Sequence, residues 1–227
     1  MSENPIQVLP ENQKVLGQFL ALQPVALCPE IRLWLVAGHV DLNARCQELM
    51  QGGYAPYWAF CWGAGQALAR YILDHPDEVS GKRVVDFGAG SGVAAIAAAR
   101  AGAREVVAVD TDPQAREFIS LNALINRVAI AVTSELPDEW DLILVADVLY
   151  ELHDPRRLFA FADRGREVLV SDPQRPGNPR LAIPPLAQMQ VRTQPDVDYP
   201  MCQASIFRIA TADNQSFTVA SQKVVAK

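Results

Sequence analysis

The chain has 227 residues, half of them apolar, and a formal net charge of −6; that suits one domain with a substantial core and leaves out two full domains. Acidic residues outnumber basic ones, 26 against 20, and no stretch is dense in Lys or Arg, so nucleic acid and anionic membrane surfaces are poor partners. No apolar run reaches membrane-spanning length, Met1 to Lys14 lacks a secretory signal's basic start and apolar stretch, and Cys28, Cys46, Cys61 and Cys202 show no CxxC spacing. A soluble, reduced, cytoplasmic protein without a metal site or disulfide framework is expected.

Along the chain, Asn12 to Leu22, Asp41 to Met50 and Trp58 to Asp74 have helical spacing or composition, punctuated by Pro24, Pro29 and Gly52-Gly53. Residues 1–80 are therefore expected to form a helical extension, and 81–227 the main domain. From Arg83 the rhythm changes to short β-branched runs: Arg83 to Phe87, Glu105 to Val109, Val128 to Val132, Leu142 to Ala146 and Val168 to Ser171. Helical patterns fill the gaps at Val93 to Ala101, Pro113 to Asn126 and Pro155 to Arg164. Apolar strands without alternation, separated by helices, predict a parallel sheet covered on both faces. Gln190 to Thr193 and Ala204 to Ala210 are two further strand candidates with no helix between them, which predicts a closing antiparallel hairpin. The fold class expected is a Rossmann-like, doubly wound, mostly parallel seven-stranded α/β sheet with that hairpin and the N-terminal helical extension.

"VVDFGAGSGVAAIAAAR" runs from a strand through three glycines into an alanine-rich helix. Such a junction sits where ligands collect in an open parallel sheet. Gly88, Gly90 and Gly92 let the backbone turn and approach a ligand, with Ala89 between them, while the following helix offers free N–H groups to an anion. "VVAVD" ends the next strand at Asp110, where a carboxylate can accept from both hydroxyls of a ribose. A dinucleotide favours G-x-G-x-x-G, but Val93 occupies the place of the third glycine. The observed acid-x-G-x-G-x-G, led by Asp86, fits a cofactor ending in an amino acid: helix N–H groups for its carboxylate, Asp86 for its ammonium. S-adenosylmethionine has such an end and is the cofactor expected here, with a nicotinamide dinucleotide as the alternative. A tight turn with no ligand is the plainer alternative, and the two strand-end acids speak against it.

"PEIRLWL" from Pro29, "PYWAFCWGAGQALARYILDHP" from Pro56, "VVDFGAGSG" from Val84, "LVADVLYE" from Leu144 and "SDPQRPG" from Ser171 come in an order that resembles the seven-strand methyltransferases. Within them the blocks are most similar to the lysine methyltransferases of the electron transfer flavoprotein β subunit. The resemblance covers about residues 29–180, with Gly63-Ala64 standing where that group more often has Pro-Gly. It implies a D-x-x-Y motif at Asp147 and Tyr150, tied to catalysis and substrate positioning, and it places Trp62 against the cofactor. With the motifs above, the expected cofactor site is Trp62, Asp86, Gly88, Ala89, Gly90, Gly92, Asp110, Thr111, Ser134 and Ala146.

Methyl transfer to lysine requires alignment of a neutral amine with the donor carbon and exclusion of water. Lysine arrives protonated, and moving its pKa from about 10.4 to about 7 takes ~4–5 kcal/mol. Asp147 is expected to orient the amine and relay its proton, although a lone carboxylate also raises an ammonium's pKa. Tyr150 is expected to shape the lysine channel. An N-cap or loop-fixing duty for Asp147 and simple packing for Tyr150 are the competing explanations. Val148 and Leu149 replace the paired prolines of nucleic-acid amino-methyltransferases, which argues against base methylation.

Trp58 and Trp62 lie four apart and would share a helix face, with core packing the stronger reading for Trp58. Asp112-Pro113 is a good helix start. Asn122 is expected to make a structural hydrogen bond, and Arg175 to brace Asp172 rather than meet a substrate. His39, His75 and His153 have no hydrolase partner, which disfavours nucleophilic catalysis. Three functions stay open: protein-lysine methylation, methylation of a small amine such as nicotinamide, and a noncatalytic cofactor-binding partner.

Overall fold

The structure, a computed structural model, describes residues 19–37, 56–149, 157–162, 166–175, 181, 183–195 and 201–210. A hairpin comes first, β1 (Leu20–Pro24) antiparallel to β2 (Arg32–Val36). Helix α1 (Gly63–Asp74) leads into the alternating part: β3 (Arg83–Phe87), α2 (Val93–Arg100), β4 (Glu105–Val109), α3 (Pro113–Asn126), β5 (Ala131–Thr133), β6 (Leu142–Ala146), α4 (Arg157–Ala162), β7 (Glu167–Asp172). Strands β8 (Ala187–Val191) and β9 (Cys202–Ile209) are the last described strands.

The main sheet has seven strands in the order β5-β4-β3-β6-β7-β9-β8. Pairings from β5 to β7 are parallel, and β9 is antiparallel to both β7 and β8. The parallel seven-stranded architecture and its antiparallel closure are thus as expected. Parity along each strand decides which face a side chain covers. Val84, Val106, Ala108, Leu142, Leu144 and Leu169 join Leu68, Ile72, Ile96 and Ala97 of α1 and α2 in one core. Their neighbours Val85, Val107, Ile143, Val145, Val168 and Val170 join Leu158 and Phe159 of α4 in a second. Both parities are apolar because both faces are covered.

The helical expectation for Asn12 to Leu22 fails where it can be checked: Leu20 to Leu22 lie in β1, paired with Val36 to Trp34. Leu, Ala and Gln favour helix weakly, and ladder hydrogen bonds to the β-forming Arg-Leu-Trp-Leu-Val override that preference. Asp41 to Met50 lies outside the described residues. Trp58 and Trp62 do not share a helix: Tyr57–Ala59 is a 3-10 turn, Phe60 is extended, and Cys61 bridges to Gln194 before α1 begins. β5 starts later than Val128, because Val128 N–H donates to Ala123 O at 3.1 Å and closes α3 after a left-handed Arg127.

Two amides of α3 hold the hairpin. Asn122 accepts from Trp34 N–H at 2.9 Å and donates to Ser91 O at 2.9 Å, joining β2 to the glycine loop in the structural duty expected of it. Asn126 accepts from Arg32 N–H at 3.0 Å and donates to Arg32 O. Between these contacts Trp58 stacks on Phe118 with ring centroids 4.1 Å apart. At the opposite end Gln194 donates to Pro24 O and accepts from Ala26 N–H, both at 2.8 Å. Among the described residues no helix is long and apolar enough to cross a membrane.

Candidate active site

Strand order reverses between β3 and β6, so a crevice opens at their carboxyl ends. The glycine loop lies there. Gly88 and Ala89 donate to Val109 O at 2.9 and 3.1 Å, folding the loop back over the end of β4. Gly90 has φ +52, and an ideal Cβ on it would meet nothing within 4 Å. The backbone therefore demands glycine there on conformational grounds while the space beside it stays open. Gly92, at φ +79, is the N-cap of α2, where a Cβ would come 3.3 Å from Ile119.

The acids of this half are engaged by backbone. Asp86 is 2% exposed, and its Oδ2 accepts from Ala95 N–H at 2.9 Å, capping the first turn of α2. Burial pushes its carboxyl up to about 7, against the pull of the Ala95 hydrogen bond and with a smaller push from Asp110. Asp110 accepts from Gly90 N–H at 2.8 Å through Oδ2 and from Asp112 N–H at 3.0 Å through Oδ1. Asp112 in turn caps α3 at Gln114 N–H, 2.8 Å, with Pro113 at the first helical position, the start read from the sequence. Exposed Thr111 follows Asp110, and Ser134 lies exposed in the turn after β5, whose Thr133 O accepts from Asp110 N–H at 3.1 Å.

The second half is built differently. Ala146 ends β6, and Asp147 follows at φ +56, a left-handed conformation uncommon outside glycine. Its N–H donates to Ser171 O at 3.1 Å, tying it to β7. Asp147 is nearly enclosed, and both of its carboxylate oxygens accept from the guanidinium of Arg175 in a two-pronged ion pair, Nη2 to Oδ2 at 2.9 Å and Nη1 to Oδ1. Arg175 thus binds Asp147, in place of the bracing of Asp172 expected from the sequence. Gln174, at φ +49, donates to Asp172 Oδ1 at 2.5 Å and turns the chain so that Arg175 points back. Asp172 is 1% exposed and its Oδ2 has no hydrogen-bond partner among the described residues. Burial pushes its carboxyl up to about 6, and nearby Asp147 adds to the push.

Arg175 also links this half to Trp62. Its guanidinium carbon lies 6.0 Å from the Trp62 ring centroid, the edge of cation–π range. The indole N–H donates to Tyr57 O at 2.9 Å, which fixes the ring. A Cβ built on Gly63 would stand 2.9 Å from Val191, so the residue after Trp62 lets α1 seat closely on β8. The two halves lie close together: an ideal Cβ on Gly88 would lie 2.9 Å from Val148 Cγ1. Tyr150 lies outside the described residues, as do Glu151 and His153.

Sequence reasoning placed the acids but missed the Asp147–Arg175 pair. Its members stand 28 residues apart, and the only hint was Arg175 following Asp172 in "SDPQRPG". Among the described residues no group of His, Cys, Asp or Glu is placed to hold a metal ion.

Seven strands in this order, with helices on both faces and a glycine turn at the switch point, define a Rossmann-like methyltransferase fold. A solved structure described as a putative RNA methyltransferase from Pyrococcus horikoshii shares it, with a TM-score of 0.50 at 18% identity over 65% of this chain and 82% of that one. In sequence, residues 66–156 match the family described as ribosomal protein L11 methyltransferase (PrmA). The chain is 39% identical over 168 residues to the electron transfer flavoprotein beta subunit lysine methyltransferase of Homo sapiens, covering 66% of this chain and 62% of that protein. The counterpart in Xenopus laevis is 39% identical over 160 residues, 65% of its length. The chain therefore spans a little under two thirds of these relatives. The resemblance read from the sequence blocks is borne out by these matches.

Proposed function

We propose that the protein is an S-adenosylmethionine-dependent N-methyltransferase that acts on lysine side chains of a protein, with the electron transfer flavoprotein β subunit as the favoured acceptor. The observation that carries this reading is the close approach of Gly88 to Val148, where an added Cβ would stand 2.9 Å from Val148 Cγ1, which brings a glycine loop suited to the cofactor beside the loop that bears Asp147.

The residues present fit the cofactor. Open space at Gly90 admits a ligand against bare backbone. Each oxygen of Asp110 accepts one N–H and keeps capacity for another donor, as a ribose hydroxyl supplies. Enclosed Asp86 adds negative potential, when ionised, for the cofactor's ammonium. The free N–H groups at the start of α2 suit its carboxylate, and Trp62 offers an aromatic wall. Ala89, Thr111, Ser134 and Ala146 border the same strand ends.

When bound, this cofactor supplies a methyl group on a sulfonium, which passes in line to an amine nitrogen while the sulfur keeps the bonding pair. The chain's own part is to hold the amine, exclude water and accept N–H at Asp147 Oδ1 or Oδ2. Tyr150 is assigned to the wall of the lysine channel. The relatives' printed names support a protein acceptor.

Incubation with radiolabelled S-adenosylmethionine and purified electron transfer flavoprotein β subunit should give label on lysine, located by peptide mapping. Label found only on nicotinamide or another small amine would move the acceptor class. Calorimetry showing no cofactor uptake would end the reading.

A further inference from the structure

An amine-methylating site has a conflict at its centre. A carboxylate that holds the incoming nitrogen also stabilises its proton, and a protonated amine has no lone pair with which to attack. Asp147 alone would meet that conflict in full, because it is nearly enclosed and therefore weakly screened.

Arg175 changes the balance. Its guanidinium grips both oxygens of Asp147, and it stays cationic throughout the working range, its pKa held above the ordinary value first by that hydrogen bond. The pair is nearly neutral as a unit. A carboxylate offers about four lone-pair sites and the fork takes two, so two remain for an amine N–H. The other groups facing the pair are Asp172 at the end of β7 and Cys202 at the start of β9. Cys202 is held as a neutral thiol by burial, with Sγ 3.4 Å from Val191 O. Asp172 adds a second negative charge when ionised, and Arg175 is the one cation acting on it that the geometry brings close among the described residues.

Building on the methyltransferase reading above, we propose that Arg175 is a positioning residue that neutralises Asp147, so that the carboxylate can orient the acceptor nitrogen without fixing the proton on it. Loss of Arg175 raises the negative charge of the site by one, and loss of the Asp172 carboxylate lowers it by one. The two changes therefore move the acceptor's ionisation in opposite directions, which a merely structural role of either residue would not do.

The test is the pH dependence of kcat for transfer from radiolabelled S-adenosylmethionine to purified electron transfer flavoprotein β subunit and to n-butylamine. The acid limb of that profile reports deprotonation of the bound amine. In Arg175→Met it should move up by about one pH unit, so that a roughly tenfold loss at pH 7 shrinks toward none by about pH 9. Arg175→Lys, which keeps the cation, should stay within a few tenths of wild type. Asp172→Asn should move the limb down. Thermal melting and cofactor calorimetry establish that each variant is folded, and if Arg175→Met is not, the Lys and Asp172→Asn variants carry the comparison. Limbs that superimpose on wild type, with rates lowered equally at every pH, would overturn the assignment and leave the methyltransferase reading standing. A wild-type protein that binds cofactor yet labels no amine would remove the reading and this assignment together.

Discussion

The half of the crevice proposed for the cofactor and the half proposed for the acceptor both rest on carboxylates at strand ends, yet the two sets are held differently. On the β3–β4 side Asp86, Asp110 and Asp112 accept backbone N–H groups at Ala95, Gly90, Asp112 and Gln114, all within twenty residues of the acid. On the β6–β7 side Asp147 accepts from a side chain 28 residues away, and Asp172 accepts one backbone N–H, from Gln174, while its Oδ2 has no partner among the described residues. Backbone donors are fixed in place by the fold, so the first half is preorganised for a constant ligand. A charged side-chain fork can shift with an arriving cation, which suits a half proposed to admit and release an acceptor.

Breaking each half separately should produce separate failures. The largest effect is expected from Asp147→Asn: cofactor affinity unchanged by calorimetry, transfer slowed by roughly a hundredfold or more in single-turnover assays. Gly90→Val should do the reverse, because its side chain would fill the open space beside the loop where the proposed cofactor would lie. It costs about 1–2 kcal/mol of left-handed strain in stability, while cofactor binding falls by more than that strain accounts for. Titration and melting of the same sample would separate the two numbers, and a normal Kd would unseat the loop as cofactor site.

Asn122→Ala probes the support of the first half alone. It leaves Trp34 N–H and Ser91 O without their partner and should cost about 1–3 kcal/mol in denaturant unfolding, with the acceptor side keeping its pH profile.

A further signal is the pH dependence of stability. Asp86 and Asp172 have folded-state carboxyls raised to about 7 and about 6, above the ordinary value, so the native state binds the proton more tightly than the unfolded chain. Their contribution is complete below about pH 4 and is lost as pH rises through the folded values. Relative to wild type, Asp86→Asn should flatten the decline up to about pH 7 and Asp172→Asn up to about pH 6, read from melting midpoints across pH.

Local signals served the first half well. Pro113 to Asn126 is α3 to the residue, and the strand at Arg83 to Phe87 lies where its apolar run predicted. A glycine turn, an N-cap and a strand-end acid are short-range devices whose partners lie nearby in sequence. Elements set by distant pairing were less visible: β1 lies where helical composition led, since its partner β2 supplies the ladder. The strand run at Val128 is cut short by a helix end.

The amino-acid sequence by itself determined the alternation of strand and helix, the glycine loop and the identity of the strand-end acids, because these follow from periodicity and backbone freedom within a few residues. Only the tertiary structure decided that Arg175 grips Asp147, that Asp172 is enclosed beside them, and that Asn122 and Asn126 hold the hairpin. Those depend on which strand ends the sheet order brings together and on how far water is excluded between them, and neither quantity is carried by any local stretch of chain.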